Sequence, residues 1–121
     1  MLNFINPRRF FVAQYIVDFR KGPYGLLSEA MSAGVDPYAR DFVAFVSRDR
    51  RKIKAITGDD TGIILVFKIF SKGTLKTKIN FVDHPAVQYV TLSEIGMLME
   101  GSSYTKHKSA ETWLPDRLKS D

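Results

Sequence analysis

Cysteine is absent from the 121 residues. That excludes a disulfide framework, thiol catalysis and Cys-ligated zinc, and it fits a reducing compartment. Long hydrophobic runs are absent too. The apolar stretch Phe10 to Val17 is interrupted by Gln14, closed by Asp18-Phe19-Arg20-Lys21, and has no small-residue cleavage site. It is too short to span a membrane, so the expectation is a cytoplasmic protein with no membrane partner. Histidine is scarce: His84 sits in Asp83-His84-Pro85, and His107 lies between Lys106 and Lys108. Neither has a partner at ligand or nucleophile–base spacing, and no Ser or Thr lies in an elbow motif. Internal repeats, helix-turn-helix, zinc-finger and aromatic-rich RNA-binding signatures are also missing. The expectation is no catalytic residue, no metal and no cofactor.

What is present suits a folded domain. Apolar residues make up 45% and aromatics 12%, and a chain of this length buries roughly two thirds of its unfolded surface. Phe10 to Val17 is β-branched and aromatic, and reads as a strand. Pro23 suits the first position of a helix with Leu26, Leu27, Ala30 and Met31 as its apolar stripe and Gly34 at its end. Asp36-Pro37-Tyr38 is turn chemistry. Phe42 to Val46 is continuously apolar, as in a strand buried on both faces. Lys52 to Thr57 and Ile63 to Phe70 follow as strands, and Thr74 to Phe81 reads as a fourth, with Leu75, Ile79 and Phe81 on one face and Lys76 and Lys78 on the other. Short connections imply antiparallel hairpins. Thr91 and Glu94 have capping-box spacing before Leu92, Ile95, Leu98 and Met99, and Gly101 stops that helix. The predicted fold is a single α+β domain over residues 1–101: an antiparallel β-meander of four to five strands, with two short helices covering one side. Residues 102–121 form a polar tail whose candidate anchors are Trp113 and Leu114.

Charge is unevenly laid out. There are 18 Lys+Arg against 13 Asp+Glu, a net +5. Between Arg40 and Lys78 stand ten basic and four acidic residues, a balance of +6; the remainder has eight and nine, a balance of −1. In a meander the first and third turns share one end of the sheet. The first carries Arg48, Arg50, Arg51 and Lys52, and the third Lys72; the middle turn, at the other end, carries Asp59 and Asp60. The layout predicts a sheet polarised from basic to acidic, with Lys54, Lys76 and Lys78 extending the basic surface. A localised basic patch is the footprint of a phosphate-bearing partner, and equally of a solvated, edge-blunting face. Asp59 and Asp60 fit a tight turn better than a Mg²⁺ site, since such a site needs another acid and the sequence nominates none. Arg20 and Lys21 stand between a strand and a helix, placed for a phosphate or partner contact at a second edge, or for an ion pair with Asp18 or Asp36.

The same residues carry a resemblance. Asp18-Phe19-Arg20-Lys21-Gly22 with Gly25-Leu26 resembles the "DMRKG…GL" opening of the small accessory protein (TnpB) family encoded by the second open reading frame of IS66 insertion sequences. Asp36-Pro37-Tyr38 resembles its "DPF", Phe42 to Lys54 its "LFVF-x-N-R-R-x-D-R-I-K", and Gly58 to Gly62 its "DGDGF". Ser71-Lys72-Gly73 matches "EKG", and Leu92, Leu98, Glu100 and Gly101 match the closing "L…LLEG". Ala55-Ile56 replaces the family's paired tryptophans and Phe67 to Ser71 its "YKRLE", which fits a divergent member or a domesticated relative with altered partners. The resemblance implies an accessory role in transposition, with strand transfer left to a separate transposase. The expected partners are DNA, the transposase, or both, with Arg20, Lys21, Arg48, Arg50, Arg51, Lys52, Lys54, Lys72, Lys76 and Lys78 as phosphate contacts. A protein-interaction module without nucleic acid is the alternative, and a metal-dependent nuclease using Asp59 and Asp60 ranks last.

Overall fold

Phe42 to Val46 is apolar at every position, and the fold uses both of its faces. The computed structural model describes residues 5–102 and the backbone of residues 112 and 113. Its elements are β1 (Arg9–Ala13), α1 (Pro23–Ser32), a 3-10 turn (Pro37–Ala39), β2 (Asp41–Val46), β3 (Lys52–Asp59), β4 (Gly62–Ile69), β5 (Val87–Val90), α2 (Leu92–Glu100) and β6 (Thr112–Trp113). They build one sheet in the order β4-β3-β2-β1-β5-β6. The class is α+β, as expected, and β2, β3 and β4 form the predicted consecutive hairpins. β1 joins them parallel to β2, through the crossover that contains α1, and pairs antiparallel with β5 on its other side.

The helices do not share a side. α1 buries Leu26, Leu27 and Ala30 against Phe11, Ala13, Val43, Phe45 and Ile56. α2 buries Ile95 and Leu98 on the opposite face, against Val12, Ala44, Val46, Ile53 and Ala55. Strands alternate their side chains, and β1, β2 and β3 are apolar at both parities. A one-sided cover would leave half of these side chains in water. Met31 and Leu92, expected in the apolar stripes, are exposed at the margins of their helices. α2 begins in the anticipated capping box, Thr91 Oγ1 accepting from the Glu94 N–H and Glu94 from the Thr91 N–H, and ends at Gly101 with φ +87°.

Residues 74–81 depart from expectation. Leu75, Thr77 and Ile79 are buried and Lys76 and Lys78 exposed, so the alternation holds, but no strand forms. The segment crosses the α2 face as a cover, held by Leu75 N–H on the Arg50 carbonyl and Thr77 Oγ1 on the Ser102 carbonyl. Alternating burial needs only extended backbone over a core, not a paired edge. Thr112–Trp113 pairs with Val87–Gln88, so the tail returns to the sheet there; Leu114 lies outside the described residues. Among the described residues no helix is long and apolar enough to cross a membrane.

Candidate nucleic-acid interface

The turn between β2 and β3 is built from its own side chains. Arg50 N–H donates to the Ser47 carbonyl at 2.9 Å, and Ser47 Oγ donates to Asp49 Oδ1 at 2.7 Å. Arg51 N–H donates to the same carboxylate, and Lys52 N–H to Ser47 Oγ. Ser47 above all, then the Arg51 amide, holds the Asp49 carboxyl below its ordinary value. The turn closes with Arg50 at φ +61°, a conformation costing a side-chain-bearing residue roughly 1–2 kcal/mol. Contacts of the same residue offset it. The Arg50 carbonyl accepts from Leu75, its Nη2 donates to the Ile79 carbonyl at 3.3 Å, and its guanidinium lies 5.9 Å from the Phe81 ring centroid.

Arg50 is thus a hub rather than a free cation, and it draws the 75–79 cover to the basic turn. Arg48, Arg51, Lys72, Lys76 and Lys78 are exposed and Lys52 half-buried. None of the six has an ion pair among the described residues. Because β1 runs parallel to β2, the segment after β1 emerges at the same end. Ile16, Val17 and Phe19 line a cavity of about 420 Å³ with Ser47, Arg48, Asp49 and Lys52. Arg48 also borders a cavity of about 450 Å³ with Tyr15, Glu29, Asp83 and His84. Burial, with Glu29 adding to it, raises the Tyr15 hydroxyl, which stays protonated and donates to the Glu29 carbonyl. His84 Nδ1 is 3.5 Å from Asp83; His107 lies outside the described residues.

Four of the ten expected phosphate contacts are otherwise employed, Arg50 being the first. Lys54 is buried, its Nζ donating to the carbonyls of Phe19 at 2.6 Å and Lys21 at 3.0 Å, with Phe67 and Phe19 rings about it. A buried ammonium with those partners is not offered to a ligand. Arg20 forks onto Asp18, which the bidentate hydrogen bonds hold at about 2, and Lys21 pairs with Glu29 at 2.9 Å. The ion pair with Asp18 was anticipated; Asp36 instead caps the 3-10 turn. Phe19, next to them in the chain, lines the Arg48 cavity, and neither cation is among its lining residues. The pattern of charges gave no sign of Lys54's role, because Lys52 and Lys54 alternate with Ile53 as in a strand with one solvated face.

The opposite end carries Asp59 and Asp60, as the hairpins require. Asp59 Oδ1 accepts from Thr61 N–H at 2.9 Å and Thr61 Oγ1 at 2.6 Å, which lowers its pKa. Gly58 is demanded there: a Cβ would stand 2.3 Å from the Gly62 carbonyl oxygen. This end is not purely acidic, since Arg40 lies near Asp59, and Arg8 and Arg9 clasp Asp41 there. No group of three His, Cys, Asp or Glu able to hold a metal occurs among the described residues.

A family model described as "IS66 Orf2 like protein" matches residues 8–109, which span the whole basic end, both helices and the acidic hairpin. No curated protein and no solved structure matches the chain.

Proposed function

The chain belongs to the IS66 Orf2-like family of insertion-sequence accessory proteins, and we propose that it serves transposition by holding DNA phosphates at the basic end of its sheet. The observation that carries this reading is the division of the cations. Arg9, Arg20, Lys21, Lys54 and Lys68 are spent on carboxylates or carbonyls, whereas Arg48, Arg51, Lys52, Lys72, Lys76 and Lys78 converge on one end with no such partner among the described residues. Two separate segments supply them, and Arg50 joins the two. Such a surface attracts a polyanion through counterion release and carries no base-reading element, so binding is sequence-tolerant. The protein is non-catalytic in this reading, and the chemistry stays with the transposase.

Titration of labelled duplex DNA against salt tests it. Log affinity falls linearly with log salt, and Arg51→Ala or Lys76→Ala each lowers the slope by about 0.9. Arg20→Ala leaves the slope unchanged. Absence of binding at low salt overturns DNA contact, and leaves the transposase as the partner for this end.

A further inference from the structure

With residues 74–81 laid over the face, nothing among the described residues pairs with the outer edge of β4. Long sheet edges are ordinarily blunted by proline, a bulge or outward-pointing lysines. β4 has none of these. Its residues Gly62–Ile69 run in unbroken register with β3, and its single charge, Lys68, is tied to the Met99 carbonyl at 2.6 Å.

The direction of the free groups follows from one hydrogen bond. Phe70 N–H donates to the Arg51 carbonyl, so even-numbered positions of β4 turn their backbone toward β3, and Ile63, Leu65, Phe67 and Ile69 turn theirs outward. The side chains of those four share one face, where Phe67 and Ile69 are 50% and 60% exposed.

We propose that β4 pairs antiparallel with β4 of a second copy, about a two-fold axis at Val66, joining two sheets into one. An axis normal to the sheet keeps like faces together, so outward residues must meet outward residues. Centring on Val66 engages all four of them in each copy: Ile63 opposite the partner's Ile69, and Leu65 opposite the partner's Phe67. Cross-strand apolar pairs of this kind stabilise a sheet. Charge selects the same arrangement. Beyond the strand ends, the turn carrying Asp60 in each copy comes to the end of the sheet where the partner's Lys72 follows β4, and the two-fold repeats that approach. The acidic hairpin of each copy thus meets the basic end of the other.

Val66 and the partner's Val66 form a non-hydrogen-bonded pair with Cα atoms about 4.5 Å apart, within disulfide reach. In a chain without cysteine, Val66→Cys is expected to cross-link into a covalent dimer on mild oxidation, and Ile64→Cys, which faces the partner's Lys68, is not. Sedimentation equilibrium of the unaltered chain is expected to show a reversible dimer. Ile69→Pro removes an outward N–H without touching the β3 ladder, and is expected to abolish the dimer with an unchanged circular dichroism spectrum. Asp60→Lys is expected to weaken dimerisation roughly tenfold, with Lys72→Asp in the same chain restoring it. A chain that stays monomeric at millimolar concentration overturns the proposal. So does a dimer that Ile69→Pro leaves intact, cross-linking of Ile64→Cys equal to that of Val66→Cys, or a monomer that takes a transposase strand on β4 instead.

Discussion

Lys54 and Lys68, in the body of the sheet, and Lys72, Lys76 and Lys78, at its basic end, are one residue type in opposite employment. The first two bring an ammonium onto backbone carbonyls, Lys54 beneath the 19–21 loop and Lys68 at the C-terminal turn of α2, where the helix dipole favours a cation. The last three reach water from a turn and a cover segment. The difference teaches that net charge counts cations without saying which are available. A balance of +6 in the meander overstates the surface that a polyanion meets, since Lys54 and Lys68 are spent on backbone carbonyls.

Substitution can sharpen that contrast, beginning with the body of the molecule. Asp41 is fully buried and accepts from Arg8, from Arg9 at 2.8 and 2.7 Å, and from the Asp36 N–H. Asp41→Asn leaves those donors poorly matched and is expected to cost about 3 kcal/mol in urea denaturation. Burial pushes the Asp41 carboxyl up, but Arg9, the Asp36 amide and Arg8 outweigh it and hold it below its ordinary value of 3.8. A depressed folded-state pKa stabilises fully above the ordinary value, and the stabilisation is lost as pH falls through the depressed one. The stability gap between the unaltered chain and Asp41→Asn is therefore expected to be constant above pH about 5 and to shrink below pH about 4.

Lys54→Met keeps the buried stem and deletes the ammonium. The carbonyls of Phe19 and Lys21 lose their donor, with an expected cost of about 2 kcal/mol and no change in the salt slope of DNA binding. Lys76→Ala is expected to do the reverse, changing stability by less than about 0.5 kcal/mol while lowering the slope. Should Lys54→Met lower the slope and spare stability, the two classes of cation collapse into one.

Much of the architecture was legible in local chemistry. The capping box of Thr91 and Glu94, the glycine-bounded acidic hairpin, and the apolar run Phe42 to Val46 of β2 all carry their reasons within a few residues. Three features were not legible, because each depends on distant partners. A parallel β1–β2 pair cannot be distinguished from an antiparallel one by composition. β5, only four residues long, is too short to show a period. Residues 74–81 alternate like a strand because their side chains pack like one, while the hydrogen bonds that would make them a strand are missing. The candidate site divides likewise. Hairpin topology alone put Arg48, Arg51 and Lys52 on the turn between β2 and β3, and Lys72 just past the end of β4. The hub role of Arg50 and the burial of Lys54 depend on the cover and the 19–21 loop folding back over β3.

The position of β1 has a consequence for the order of assembly. It stands between β2 and β5, and Phe10 pairs with both Phe42 and Val90, the latter eighty positions downstream. During synthesis the hairpins of β2, β3 and β4 can close while β1 still has one side open, and the α2 face stays bare until Ile95 and Leu98 have emerged. The nascent chain therefore carries its basic end early and its second core late, and the interval between them is when the apolar edge of β1 is exposed to other chains.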